Sequence, residues 1–165
     1  MLLTLDAQQT QLPNPTPSYL LLDRNGHYLA DVGRDPNSGY GYWPVTELPP
    51  RVVAATLAPE DKRFWHHPGV DPMAVARAIT QNLKHRKRIS GASTLAMQLA
   101  RLHHPAPRTY WNKLKETWRA FVMVQRYGRE AVLAAYLQSI PYGNQIHGIG
   151  YAARRYLDKP VADLS

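Results

Sequence analysis

Cysteine is absent from the 165 residues. That excludes disulfides, thiolate-ligated zinc and a thiol nucleophile, and it leaves the redox compartment open. No apolar run approaches the roughly 18 residues that cross a bilayer as a helix. The opening residues, Met1-Leu2-Leu3-Thr4-Leu5-Asp6, have no basic start and too short an apolar stretch for a secretory signal. On these grounds the chain reads as a soluble piece, or as a fragment without its anchor. No segment repeats elsewhere in the chain. Acidic residues are scarce: 12 Asp and Glu stand against 20 Lys and Arg, for a net charge of +8 and a pI near 9.9. That balance points to an anionic partner, and alone it admits nucleic acid, anionic lipid or a phosphorylated substrate. What is present suffices for a globular domain, with 44% hydrophobic and 19% charged residues.

Residues 6–18 are rich in Gln, Pro and Thr and read as a loose arm, so the domain is expected over 19–165, behind an arm at 1–18. Asn25-Gly26 between two apolar runs predicts a hairpin closed by a tight primed turn. Residues 33–50 read as a Gly- and Pro-rich loop whose aromatics, Tyr40, Tyr42 and Trp43, pack onto the domain. Helical spacing follows Pro50, with Pro59 a candidate break. Asp71-Pro72 is a helix start, an N-cap acceptor before proline at the first helical position. The helix after it sets Val75, Ala76, Ile79 and Leu83 on one side and ends in the cations of residues 84–88, which suit its C-terminal dipole. A helix beginning near Ser93 or Thr94 carries a Leu95, Leu99, Leu102 stripe, and Thr94, Gln98 and Arg101 on another face. The next helix spans 109–127, closed by Gly128, with an apolar stripe of Trp111, Leu114, Trp118, Phe121 and Val122. Glu116 lies nearly opposite that stripe. Further helices are expected at 130–139, with Val132, Leu133, Tyr136 and Leu137 inward, and at 148–157. Residues 141–144 read as a turn, and 161–165 as the approach to one more helix.

Residues 59–71 gather the densest chemistry. Glu60, Asp61, Phe64, Trp65, His66, His67 and Asp71 surround a Pro68-Gly69 turn. Titratable and aromatic side chains at a chain reversal between two helices are what a reaction site requires. Glu60 is either a surface acid at a helix end or a general base. Thr94, Gln98 and Arg101 are either a solvated helix face or a polar wall. Glu116 is either an exposed acid pairing with Lys113 at i−3 or a second functional carboxylate. The adjacent histidines lack a spaced ligand set and are not read as a zinc site.

Three segments together resemble one family. Glu60-Asp61-Lys62-Arg63-Phe64-Trp65-His66-His67-Pro68-Gly69-Val70-Asp71 resembles its first motif, Glu-Asp-x-x-Phe-x-x-His-x-Gly-x-Asp. Gly91-Ala92-Ser93-Thr94-Leu95-Ala96-Met97-Gln98-Leu99 resembles its second, and Lys113-Leu114-Lys115-Glu116 the end of its third. A looser fourth match covers residues 132–137 and Tyr142-Gly143. The family is the peptidoglycan glycosyltransferases, glycosyltransferase family 51, of class A penicillin-binding proteins and monofunctional transglycosylases. The hairpin and the second motif look most like the 1C type. The sequence departs from the family pattern at Asn112, where the family has arginine, at Arg101, where it has lysine, and at Ala134 and Gln138.

The resemblance implies a mainly α, lysozyme-like helical domain with an N-terminal β-hairpin. It implies a membrane anchor before this stretch and further helices after it. It also implies polymerisation of lipid II, with undecaprenyl pyrophosphate as the leaving group, at the periplasmic face of the bacterial inner membrane. Glu60 is then the catalytic base, its pKa expected to be raised through desolvation by packing against Phe64 or Trp65. Glu116 is the second catalytic carboxylate, acting directly or through a divalent cation, Mg or Mn. Substrate contacts are expected at Asp61, Phe64, His67, Ser93, Thr94, Gln98, Arg101 and Lys113, with Asp61 and His67 supporting Glu60 and Phe64 shaping the site. Residues 84–88 would meet the membrane surface or the pyrophosphate. Expected partners are lipid II, the growing glycan, the inner-membrane surface and other cell-wall synthesis proteins, and not nucleic acid, since the basic residues are not interleaved with exposed aromatics. The competing readings are a lysozyme-like hydrolase, disfavoured by the basic second motif, and an inactive binding module, which Asn112 favours.

Overall fold

A computed structural model describes residues 7–13, 19–32, 45, 47–85, 91–144 and 146–164. The loop aromatics Tyr40, Tyr42 and Trp43 and the cations at 86–88 lie outside these residues. The described chain is mostly helical, with one antiparallel strand pair near its start and a second, minimal pair near its end. This agrees with the mainly α, lysozyme-like domain expected. It forms two compact units, residues 1–12 with 56–133, and residues 13–55 with 134–165.

The first unit holds the end of α1 (Pro50–Glu60), α2 (Pro72–His85), α3 (Leu95–His103) and most of α4 (Tyr110–Ser139). Helix α1 runs through Pro59 and stops one residue later, because proline removes a donor and crowds the preceding turn. Asp71 caps α2 as expected: its Oδ1 accepts the N–H groups of Met73 at 2.9 Å and Ala74 at 3.1 Å. Helix α3 is the most buried element. Leu95, Ala96 and Leu99 have no exposed surface, and each leucine contributes roughly 2–3 kcal/mol of burial. Where composition suggested a loose arm, Ala7–Thr10 form a 3-10 turn with Thr10 buried. Gly128 departs from helical geometry, at φ 82° and ψ 165°, so α4 is two helical stretches meeting where the sequence predicted the break.

Two apolar stripes face differently from expectation. On α2 the buried residue is Ala78, while Ile79 and Leu83 are 54% and 73% exposed. On α4 Trp111, Leu114 and Phe121 are exposed, and the buried side carries Glu116, Arg119, Ala120 and Met123. Periodicity shows that a face is apolar; it does not show what covers it. Leu102, the third member of the α3 stripe, is likewise exposed.

The second unit opens with β1 (Tyr19–Leu22) and β2 (Tyr28–Val32), in the predicted antiparallel hairpin. Its turn is longer than the two-residue one expected. Only Gly26 has positive φ, and the Asp23 carboxylate accepts the N–H groups of Asn25 and His27, each at 2.8 Å. The side chain widens the turn and shifts the register between Leu21 and Leu22. After Gly128 the inward residues of α4 are Val132 and Leu133, which close the first unit, and Tyr136 and Leu137 in the second, as expected. In place of a simple turn at 141–144, β3 (Pro141–Gly143) pairs with β4 (Ile146–His147). Helix α5 (Ile149–Leu157) follows, with Ile146, Tyr151 and Ala152 in its core cluster. Gly148 precedes α5 with φ 80°, and a Cβ there would lie 2.8 Å from the Gln138 carbonyl oxygen. Val161–Asp163 form a 3-10 turn.

Candidate active site

The loop after α1 is fastened from beneath. Asp61, buried at the end of that helix, accepts His67 Nε2 at 2.9 Å and the Leu95 backbone N–H at 3.1 Å. The other ring nitrogen of His67, Nδ1, accepts the Gly69 N–H at 3.2 Å, which fixes the ring in its Nε2–H tautomer. Thr94 Oγ1 donates to the Gly69 carbonyl at 2.6 Å and accepts the Met97 N–H at 3.3 Å, so it caps α3 and holds the loop at once. Arg129 Nε donates to the His67 carbonyl at 3.1 Å. Gly69 has φ +98°, and a Cβ there would stand 2.5 Å from the Ala120 carbonyl oxygen. Only glycine lets the loop lie this close to α4.

Above this base, Glu60 is exposed, and Gln98 Nε2 on α3 donates to its Oε2 at 2.7 Å. One turn past Gln98 lies Arg101, half-buried. At the head of α3, Ser93 Oγ accepts Lys113 Nζ at 2.6 Å, and the same ammonium donates to Glu116 Oε2 at 3.1 Å. Glu116 is buried, while Lys113 keeps 42% of its side chain exposed. Helix α3 thus serves both acids, Glu60 through Gln98 and Glu116 through Ser93 and Lys113. A carboxylate open to solvent but held by an amide can take a proton; a buried carboxylate paired with an ammonium holds its charge in a fixed place.

The predicted site residues fall into two sets. Glu60, Ser93, Gln98, Arg101 and Lys113 retain accessible surface. Asp61, Phe64, His67 and Thr94 are buried, and the polar groups of Asp61, His67 and Thr94 are engaged with the protein itself. The contacts seen at these four are within the fold, and Asp61 and His67 support the loop that carries Glu60. Phe64, 1% exposed, packs edge-on against Trp65 and His67. Glu60 itself is exposed rather than buried among aromatics. The Glu116 carboxylate accepts the Lys113 ammonium, and no group of three His, Cys, Asp or Glu among the described residues could hold a metal. Sequence reading missed Arg119, Ala120 and Arg129. Their partners lie far along the chain, 62 residues away for Arg129 and His67, and no local motif marks them.

Residues 25–165 match the transglycosylase family. Penicillin-binding protein 1C of Escherichia coli is 43% identical over 129 residues, covering 76% of this chain and 17% of that protein. Penicillin-binding protein 1A of Escherichia coli is 39% identical over 125 residues, 74% of this chain and 15% of the relative. Penicillin-binding protein 1B of Vibrio cholerae is 38% identical over 123 residues, 72% and 16% respectively. The chain therefore spans less than a fifth of the length of these relatives. It belongs to the transglycosylase family, as a glycosyltransferase domain of the kind that class A penicillin-binding proteins carry.

Proposed function

We propose that the chain polymerises lipid II into glycan strands, with Glu60 as general base. The observation that carries this is the Glu60 carboxylate, solvent-accessible and held by Gln98 on the helix that also leads to Lys113 and Glu116. As the acceptor 4-hydroxyl attacks C1 of the donor sugar, Glu60 takes its proton. The new O4–C1 bond forms while the bond from C1 to the pyrophosphate oxygen breaks, and undecaprenyl pyrophosphate leaves with the electron pair. Positive charge must meet that leaving group, and Arg101 and Lys113 supply it. Glu116 fixes the Lys113 ammonium through their 3.1 Å contact. Ser93 and Gln98 offer further polar contacts to sugar or phosphate oxygens.

The proposed setting is the periplasmic face of the bacterial inner membrane. The outward apolar side of α2, with Met73, Ile79 and Leu83 exposed and Lys84 and His85 at its end, suits contact with an anionic lipid surface. No helix among the described residues is long and apolar enough to cross a membrane. The test is incubation with fluorescent lipid II and analysis for long glycan. Polymer with release of undecaprenyl pyrophosphate is expected. Release of soluble sugars from finished peptidoglycan, with no polymer from lipid II, would overturn the reading in favour of a hydrolase.

A further inference from the structure

His67 is the fixed point of the loop that follows the proposed base, and a side chain from outside the first motif holds it. Arg129 Nε donates to the His67 carbonyl at 3.1 Å, across 62 residues of chain. Arg129 is the first residue after Gly128, whose φ of 82° and ψ of 165° interrupt α4. His67 is 2% exposed, so its carbonyl needs a partner from the protein, and the arginine supplies one.

The ring of His67 is engaged as well. Nε2 donates to Asp61 Oδ1 at 2.9 Å, and Nδ1 accepts the Gly69 N–H at 3.2 Å. Asp61 directly follows Glu60, the last residue of α1, and its Oδ2 accepts the Leu95 N–H at the start of α3. A line of direct hydrogen bonds therefore runs from the break in α4, through His67 and Asp61, to the backbone that carries Glu60. The Glu60 carboxylate accepts Gln98 Nε2 at 2.7 Å. The base is thus held at its side-chain end by α3 and at its backbone end, through the loop, by α4. Proton transfer requires the base within hydrogen-bond reach of the hydroxyl, and a misplacement of about 1 Å can cost on the order of 100-fold.

We propose that Arg129 is a positioning residue for Glu60, and that the break in α4 is thereby a working part of the glycosyltransferase site. The proposal rests on the role given to Glu60 above. In this role Arg129 touches no reacting atom. It fixes the His67 backbone, His67 fixes the Asp61 carboxylate, and Asp61 fixes the end of α1. The bond from Nε carries the effect, not the charge of the guanidinium. Its loss appears at the reaction rather than in substrate affinity.

The experiment is steady-state polymerisation of lipid II by wild type, Arg129→Met and Arg129→Gln, with circular dichroism of each chain at the assay temperature. The two substitutions are a matched pair, since both remove the charge. Methionine puts a methyl carbon where Nε stood; glutamine puts an amide nitrogen there, with hydrogens to donate. Methionine is expected to lower kcat about tenfold with KM within about twofold, the pattern of an interaction that matters in the transition state. Glutamine is expected to stay within about threefold of wild type. The proposal is overturned if the two variants behave alike, or if methionine raises KM and leaves kcat unchanged. It is also overturned if the methionine chain fails to fold while the glutamine chain folds, which makes the arginine a prop for the fold alone. Wild type that makes no polymer would sink the function proposed above, and this inference with it. Wild type that polymerises while Arg129→Met keeps full kcat sinks this inference alone.

Discussion

Replacing Asp61 by asparagine changes one heavy atom and should cost more than most surface deletions. The Asp61 carboxylate accepts two donors, His67 Nε2 and the Leu95 N–H. Asparagine has one acceptor oxygen. If that oxygen keeps Leu95, in the place that also lies 3.2 Å from His67 Nε2, the new amino group replaces the oxygen 2.9 Å from the Nε2–H, donor against donor. If the imidazole changes tautomer to accept it, the proton moves to Nδ1 and meets the Gly69 N–H instead. Either arrangement strands a buried donor, at about 1–3 kcal/mol, and loses a charge-assisted hydrogen bond worth a similar amount. The sum is on the order of 3 kcal/mol. For a chain of this length it lowers Tm by about 6–12 °C, at roughly 2–4 °C per kcal/mol. Thermal unfolding followed by circular dichroism measures it. In a His67→Ala background the same substitution should cost less by 1 kcal/mol or so, because the clashing donor is gone. An Asp61→Asn protein that melts within about 1 °C of wild type, or costs that add independently of His67, would refute the argument, since both follow from the proton count alone.

Gly69→Ala should destabilise by about 3 kcal/mol or more, since the added methyl would meet the Ala120 carbonyl at 2.5 Å in a backbone region that L residues avoid; urea unfolding reads it. Asp158, which ends α5 in the left-handed region at φ 51°, is a site for gain, and Asp158→Gly should raise stability by about 0.5–1 kcal/mol in the same assay. Burial pushes the Tyr142 hydroxyl up to about 12 from its ordinary value of 10.0. Its protonated form is therefore favoured by the fold. That contribution is complete below pH 10 and is lost as pH rises toward 12, so Tyr142→Phe should flatten the fall in Tm across that window.

What could be read in the sequence was local. Asp71-Pro72 starts a helix because a carboxylate and a fixed φ meet the needs of its first turn, and Gly128 breaks one because it alone takes φ 82° without strain. The three motifs located both carboxylates and their helices. What could not be read depends on what lies across space. The aromatic stripe of α4 gave its period but not its environment, so Glu116, placed opposite it, turned out buried rather than exposed. The polar groups of the first motif looked alike in sequence, yet three-dimensional packing divides them. Glu60 faces outward, and Asp61 and His67 are spent on the loop beneath it. The hydroxyl of Thr94 and the guanidinium of Arg129 reach backbone carbonyls 25 and 62 residues away, distances over which no spacing rule operates.

The central claim is that Glu60 takes the acceptor proton. Its most direct measurement is the rate of glycan polymerisation from lipid II by Glu60→Gln, beside wild type at matched substrate and pH. Glutamine keeps the shape of the side chain and an oxygen to accept the Gln98 amide, so binding and fold are preserved while the base is removed. The predicted result is a fall in kcat of about 10²–10⁴-fold, the range of a general base, with KM little changed. Polymer formed by Glu60→Gln at the wild-type rate would contradict the assignment.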